Sequence, residues 1–452
     1  MSCGLSEALL ARRTVRRSLG ICVLRRTRIV PLLAAAIFCV ETPGSFARAQ
    51  TSALSQTREF ALPTQAALNR HNLTRRWWGS AHLNPARDRL SHISLDDTTL
   101  YAVSTGGLIS AFDSETGERR WARQMGIADQ PSFQPALDSE RLLLIVGMSL
   151  YAIDKRTGDV VWQLRLPSSP STSPVSDANN VYIGFLNGSM IAFNLKEVES
   201  LYKEGLLPQF SYSTVRWRYA TNKPILVPAV SLGNQVHFAS SNGSLYCVTS
   251  DDRTLIFQFE TDAPVAAPLG RHKSHVFLAS QDNRVYSIDA ERGELKWSFP
   301  SGHKISHAPI VIGDDLFVLP DAGGMFRLDS PSGDEKWWNP AVKEFAAATG
   351  AVVYGFDADG RMALIDRATG KALSMLPLPG FSIRLQNDRT DRIYVATPRG
   401  TLLCLSERNR TEPTMHKYPE RQPILPEFAT DEEAAAAAAP PAEPGAEGAE
   451  TE

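Results

Sequence analysis

Cysteine is scarce in this chain. There are five in 452 residues, and beyond residue 49 only Cys247 and Cys404 remain. No two are adjacent and none sits in a Cys-x-x-Cys-His run, which excludes covalently attached haem. Long apolar stretches are also missing. The run Ile29–Val40 spans twelve residues, too short for a comfortable membrane crossing. A basic excess is absent as well: the formal net charge is −2, and setting residues 1–49 aside leaves 39 basic against 47 acidic residues. A moderately acidic body exerts no long-range pull on nucleic acid, so that class of partner is set aside.

What is present at the two ends is compositional. Arg12, Arg13, Arg16, Arg17, Arg25, Arg26 and Arg28 precede the apolar run, and Ala47-Arg48-Ala49 follows it. That order predicts an export signal over 1–49 with a mature start at Gln50, the alternative being an uncleaved anchor. Ile21 and Phe38 precede Cys22 and Cys39, where lipid attachment usually needs a small residue, so no lipoprotein is expected. Residues 50–72 read as a linker. From Thr411 the chain is Pro-rich, and from Asp431 it holds Ala, Pro, Gly and Glu with no basic residue and no aromatic. Such a segment buries too little apolar surface to offset its ordering entropy, and 411–452 reads as a disordered acidic tail.

Between the ends lies a repeat. Its anchors are Asp113, Asp154, Asn194, Thr249, Asp289, Asp329, Asp366 and Ser406, spaced 41, 40, 55, 40, 40, 37 and 40 residues apart. Gly or Asn usually stands six residues before the anchor, where a tight hairpin needs a residue tolerant of positive φ. Four residues after it come Gly117, Gly158, Gly293, Gly333 and Gly370, closing a second turn. Eight residues after it come Trp121, Trp162, Phe257, Trp297 and Trp337, on a further strand. Each unit is thus a four-stranded antiparallel meander of about forty residues, the blade of a β-propeller. A sandwich does not repeat one motif eight times at near-constant period, and no helical periodicity competes. The last repeat ends near Arg408 without a tryptophan strand, whereas Leu73–Trp78 looks like a tryptophan strand without a repeat. The expectation is an all-β, eight-bladed propeller over 73–410, closed by that N-terminal strand, with seven blades as the alternative if the repeat around Asp366 is irregular.

The run Tyr151-Ala152-Ile153-Asp154-Lys155-Arg156-Thr157-Gly158-Asp159-Val160-Val161-Trp162 resembles the tryptophan-docking motif of pyrroloquinoline-quinone propellers. Tyr286–Trp297 is nearly as full a copy, and the resemblance extends over roughly 74–409. It implies that Trp77, Trp121, Trp162, Trp217, Trp297 and Trp337 pack against neighbouring blades. One branch of the superfamily holds quinone with calcium, usually under a disulfide between adjacent cysteines. The other, BamB-like, branch is exported, cofactor-free and assists the insertion of outer-membrane barrels. Length, blade number and export signal are similar to the second branch. That likeness implies an exported, non-enzymatic scaffold for protein partners in the periplasm or cell envelope, extending to outer-membrane protein assembly. A monomer without cofactor, metal or catalytic residues, with peripheral membrane association, completes the expectation. A quinoprotein dehydrogenase or degenerate quinone binder is the alternative, and a carbohydrate-binding module a third.

Individual residues support no chemistry. Cys247 and Cys404 occupy one repeat column in blades on opposite sides of the ring, beyond disulfide reach. In an extended strand His303 and His307 lie about 13 Å apart and cannot share a metal. The repeated anchor carboxylates read as turn caps. The irregular 55-residue spacing is the informative feature: between Asn194 and Trp217 the turn swells into an insertion. Leu201, Tyr202, Leu206, Leu207, Phe210 and Tyr212 make it the candidate partner-binding surface. On this reading residues 197–214 form a protruding, removable decoration.

Overall fold

The computed structural model describes residues 62–417 apart from 85, 128–129 and 138–140. The expected export signal, most of the linker and residues 418–452 of the expected 411–452 tail lie outside the described residues; residues 411–417 run along blade 8, where Met415 is buried and bridges Thr390.

The described chain is a ring of eight blades. Blade 1 pairs Leu90–Leu95, Thr99–Ser104, Leu108–Asp113 and Arg119–Gln124, in that order from the axis outward. Blades 3 to 7 repeat this meander, ending on outermost strands Val215–Ala220, Leu255–Glu260, Leu295–Pro300, Glu335–Asn339 and Ala372–Pro377. Blade 2 has three named strands, with outermost strand Val160–Arg165. Its inner edge is reduced to isolated bridges, Ser132 with Val146 and Ala136 with Leu143. Blade 8 is assembled from both ends of the described chain. Ile383–Arg384, Ile393–Ala396 and Thr401–Glu407 supply three strands, and Leu73–Ser80 supplies the outermost, pairing antiparallel from Leu73 opposite Glu407 to Ser80 opposite Thr401. The repeat around Asp366 is a regular four-stranded blade, so the ring has eight.

Strand formation follows from alternation. In Asn180–Gly184 and Ser189–Asn194 every second side chain packs on the preceding blade and the others on the following one, so both faces are apolar. The anchor aspartates act as turn caps. Asp113 Oδ1 accepts from the backbone N–H of Glu115 and Thr116 at 3.0 and 2.9 Å, and Asp154 Oδ1 from those of Arg156 and Thr157 at 2.8 and 2.9 Å. Each turn ends on a glycine with positive φ, and a Cβ on Gly158 would stand 2.5 Å from the Trp121 ring. The glycine is there because the neighbouring blade's indole lies flat on the backbone.

The tryptophans join blade to blade. Trp77 Nε1 donates to the carbonyl of Ser114 at 2.7 Å, Trp121 Nε1 to Lys155, Trp217 Nε1 to Ser250, Trp297 Nε1 to Ser330 and Trp337 Nε1 to Arg367. The acceptor is in each case the residue after the next blade's anchor. Blade 7 has Ser374 where the others carry the large ring, and there His71 Nδ1 meets Ser374 Oγ at 2.9 Å. The short helix Gln65–Asn69 fills the remaining space, its Leu68 packing with Leu364 and Leu376.

Candidate functional site: the loop face, the channel and the insertion

In a meander of four strands, the turn between the second and third strands and the link to the next blade emerge on the same side. On that face, blades 4 to 8 present mainly polar tips such as Ser241-Asn242, Gln281-Asp282 and Asp359-Gly360. The tips of blades 2 and 3 and the links that enter blades 2 and 4 differ. Ile127 (69% exposed), Met148, Leu186 and Leu226 all project into solvent there. Hydrogen bonds tie their loops into one surface. Ile127 N–H donates to Gln130 Oε1 at 3.2 Å and Gly147 N–H to the Pro131 carbonyl at 2.8 Å. Leu166 N–H donates to the Met148 carbonyl at 2.8 Å and Leu186 N–H to that of Ser169 at 3.2 Å. An exposed apolar strip on cross-bonded loops is the kind of surface that protein partners bury.

The centre of the ring holds a polar cavity of about 550 Å³, lined by residues that include His92, Ser94, Gln134, His307, Glu344 and Arg384. Arg384 is fixed there: its Nη1 lies 2.8 Å from Glu344, and its guanidinium carbon stands 4.1 Å over the Phe356 ring. Burial, partly offset by a backbone hydrogen bond with Phe133, holds the His92 imidazole down at about 4, so it is neutral at ordinary pH. A calcium-assisted quinone site needs several free oxygen ligands. Among the described lining residues the two acids, Glu344 and Asp388, already meet Arg384 and Lys417. No three His, Cys, Asp or Glu side chains converge on a metal position among the described residues. These residues do not fit that cofactor.

The insertion lies on the opposite face. Asn194 keeps the anchor role, its Oδ1 accepting from Glu197 N–H at 3.2 Å, but here the cap starts the helix Leu195–Lys203 instead of a glycine turn. Val198, Leu201 and Leu207 are buried against Trp162 and Leu164, and Leu206 packs beside them half-buried. Glu199 pairs with Arg141 of blade 2. Tyr202, Phe210 and Tyr212 are exposed, the last at 70%, with the Phe210 and Tyr212 rings 6.1 Å apart. The structure therefore divides the six candidate residues: three aromatics outward, Leu201 and Leu207 inward, Leu206 between. A consequence appears at Trp162. Its Nε1 is buried with no acceptor among the described residues, because Leu195, which stands where other blades offer a carbonyl, opens a helix. Removing 197–214 would strip the cover from Trp162, so the segment is a plug in the core as well as a surface.

Among the described residues neither face shows a nucleophile–base arrangement. Cys247 and Cys404 are buried and free, and burial pushes the Cys247 thiol up to about 12. The loop-face strip was not found by sequence reasoning. Its residues fall in connections of different blades, and only the ring brings them together.

The fold and these surfaces define a class: an eight-bladed propeller of pyrroloquinoline-quinone-type repeats whose distinctive features are surfaces. The sequence model described as outer membrane protein assembly factor BamB matches residues 75–252 and 214–413, and the chain belongs to that family. The outer membrane protein assembly factor BamB of Yersinia pestis is 23% identical over 201 residues, which are 40% of this chain and 47% of that protein. That match spans about half the length of the relative. Among solved structures, BamB from Moraxella catarrhalis superposes with a TM-score of 0.58 at 15% identity, covering 74% of this chain and 99% of that one. The computationally designed Ika8 protein gives 0.57 at 13%, covering 70% and 96%. These likenesses carry the fold.

Proposed function

We propose that this chain is a non-enzymatic scaffold of the cell envelope that docks a protein partner on its loop face during assembly of outer-membrane proteins. Membership of the BamB family supports the setting. The single observation that carries the docking reading is the exposed strip Ile127, Met148, Leu186 and Leu226, on the tips of blades 2 and 3 and the links that flank them. Four apolar residues on adjacent loops are costly to leave in water and gain by burial against a partner. The basic and apolar leader at 1–49 supports export to the periplasm. The outward aromatics Tyr202, Phe210 and Tyr212 favour a second contact on the opposite face.

The test is cross-linking of the tagged chain in its native envelope, followed by purification and identification of what comes with it. Recovery of the barrel-insertion machinery by the unmodified chain, and its loss in Leu186→Asp/Leu226→Asp, is the expected result. A Tyr212→Asp chain reports on the insertion separately. Recovery of electron carriers instead would overturn the scaffold reading in favour of a quinoprotein.

A further inference from the structure

The outer rim of the ring is electrostatically divided. Outermost strands of blades 8, 1, 2 and 3, which are consecutive around the ring, read LTRRWWGS, RRWARQ, VVWQLR and VRWRYA. Together they hold eight arginines and no carboxylate. Outermost strands of blades 4 to 7 hold two lysines and two glutamates. The body as a whole is acidic, so this half-rim runs against the average.

Partners among the described residues do not neutralise it. Arg120 meets Asp113 and Arg123 meets Asp159, each at 2.7 Å, and Arg76 lies 3.8 Å from Glu115. Arg75, Arg216 and Arg218 bond only neutral oxygens: the Pro63 and Asp251 carbonyls and Ser189 Oγ. Arg119 and Arg165 are exposed with no partner among the described residues. On the same edge Trp78 is 56% exposed, directly after the docked Trp77.

We propose that the rim at blades 8 and 1 is a docking edge for an anionic phospholipid surface. Charge complementarity supplies the attraction, since arginines near such a surface each add to binding within a Debye length. Geometry selects the place. A rim is convex, so a flat surface touches about two adjacent blades. Blades 8 and 1 combine five of the eight arginines on their outermost strands with an exposed indole, whereas the exposed Trp338 of blade 6 sits on a strand without arginine and bonds the Gly323 carbonyl. Tryptophan is suited to the interface, where its ring meets acyl chains and its N–H meets headgroups. The apolar loop strip on blades 2 to 4 points along the ring axis, so an edge-on ring keeps that face accessible.

Hydrogen–deuterium exchange of the full chain on vesicles tests this strand by strand, so binding through the leader does not obscure the answer. With vesicles of phosphatidylglycerol and phosphatidylcholine, amides of Leu73–Ser80 and Arg119–Gln124 slow, while those of Leu255–Glu260 and Leu295–Pro300 do not. Pure phosphatidylcholine leaves all four unchanged. Arg75→Glu/Arg119→Glu weakens the anionic-vesicle protection by about 30-fold or more in lipid concentration, whereas Lys296→Glu leaves it intact. Thermal melting confirms that the variants fold. Protection that is missing, equal on neutral vesicles, or unaffected by the double reversal overturns the proposal. So does strand-specific protection by soluble polyglutamate without any by vesicles, which would make the edge a site for acidic peptides.

Discussion

Trp77 Nε1 donates to the Ser114 carbonyl at 2.7 Å, and that bond crosses the seam where the two ends of the described ring meet. Trp77 is buried on the strand that closes blade 8, and its ring lies on Gly117 of blade 1. It therefore fastens the circle while its neighbour Trp78 faces water. Trp77→Ala should destabilise the fold by about 3–5 kcal/mol, the range for removing a buried aromatic. Trp78→Ala should stay within about 0.5 kcal/mol. Urea unfolding of the two variants checks the contrast.

Trp121 and Trp162 occupy the same repeat position with different bonding. Trp121 Nε1 has the Lys155 carbonyl at 2.8 Å, whereas Trp162 Nε1 is buried without an acceptor among the described residues. Both lose ring volume on change to Phe, but only the first loses a hydrogen bond and strands a carbonyl. Trp121→Phe should therefore cost about 1–2 kcal/mol more than Trp162→Phe. Equal losses in denaturant titrations would show that Trp162 has found a partner, such as an ordered water.

Much of this fold was legible because its determinants are local and repeated. An anchor aspartate, a glycine four residues on and a tryptophan eight residues on encode turn, close approach and docking within a dozen residues. Complete at Asp113, Asp154, Asp289 and Asp329 and partial in the other four repeats, with an orphan Trp77 strand upstream, they indicate the ring and its closure. The insertion was legible as a break in spacing, but its burial was not. Val198, Leu201 and Leu207 face inward because Trp162, far off in sequence, lost its glycine turn to pack on. The loop strip was hidden for the same reason: Ile127 and Leu226 are about a hundred residues apart. The arginine half-rim lay in plain view, but only the closure of blade 8 places Arg75 and Arg119 on neighbouring edges.

Arg392 is fully buried and paired with Glu115 of blade 1, its Nη2 at 2.9 Å from Oε2, with Asp391 at 3.5 Å and the Thr411 carbonyl at 2.8 Å. This is a second fastening at the seam, ionic where the first is aromatic. A buried guanidinium that loses one carboxylate keeps its desolvation cost. Glu115→Gln should cost about 2 kcal/mol, softened because Asp391 remains. Raised salt should leave the wild-type value little changed, since a buried pair is poorly screened. Chemical denaturation in 0.05 and 0.5 M salt measures both effects.

His237 gives the fold an acid limb. The ring is fully buried in blade 4, beside Phe257 at 5.8 Å between centroids, with Cys247 Sγ 3.9 Å from its Nε2. Burial, aided by the positive charge of Arg271, holds the imidazole down at about 4, against 6.5 for a free histidine. The folded pKa is the lower one, so the unfolded chain binds the extra proton. Stability from this group is complete above pH 6.5 and is lost as pH falls from 6.5 towards 4, by roughly 3 kcal/mol in all. His237→Gln keeps the volume and removes the proton. Its stability should then fall less steeply across that window, the slope differing from wild type by about one proton at the midpoint. Denaturant midpoints at half-unit intervals between pH 4 and 7 give the slopes directly. Parallel curves would mean that His237 is protonated inside the fold, with an acceptor at Nδ1 that the packing of blade 4 does not provide.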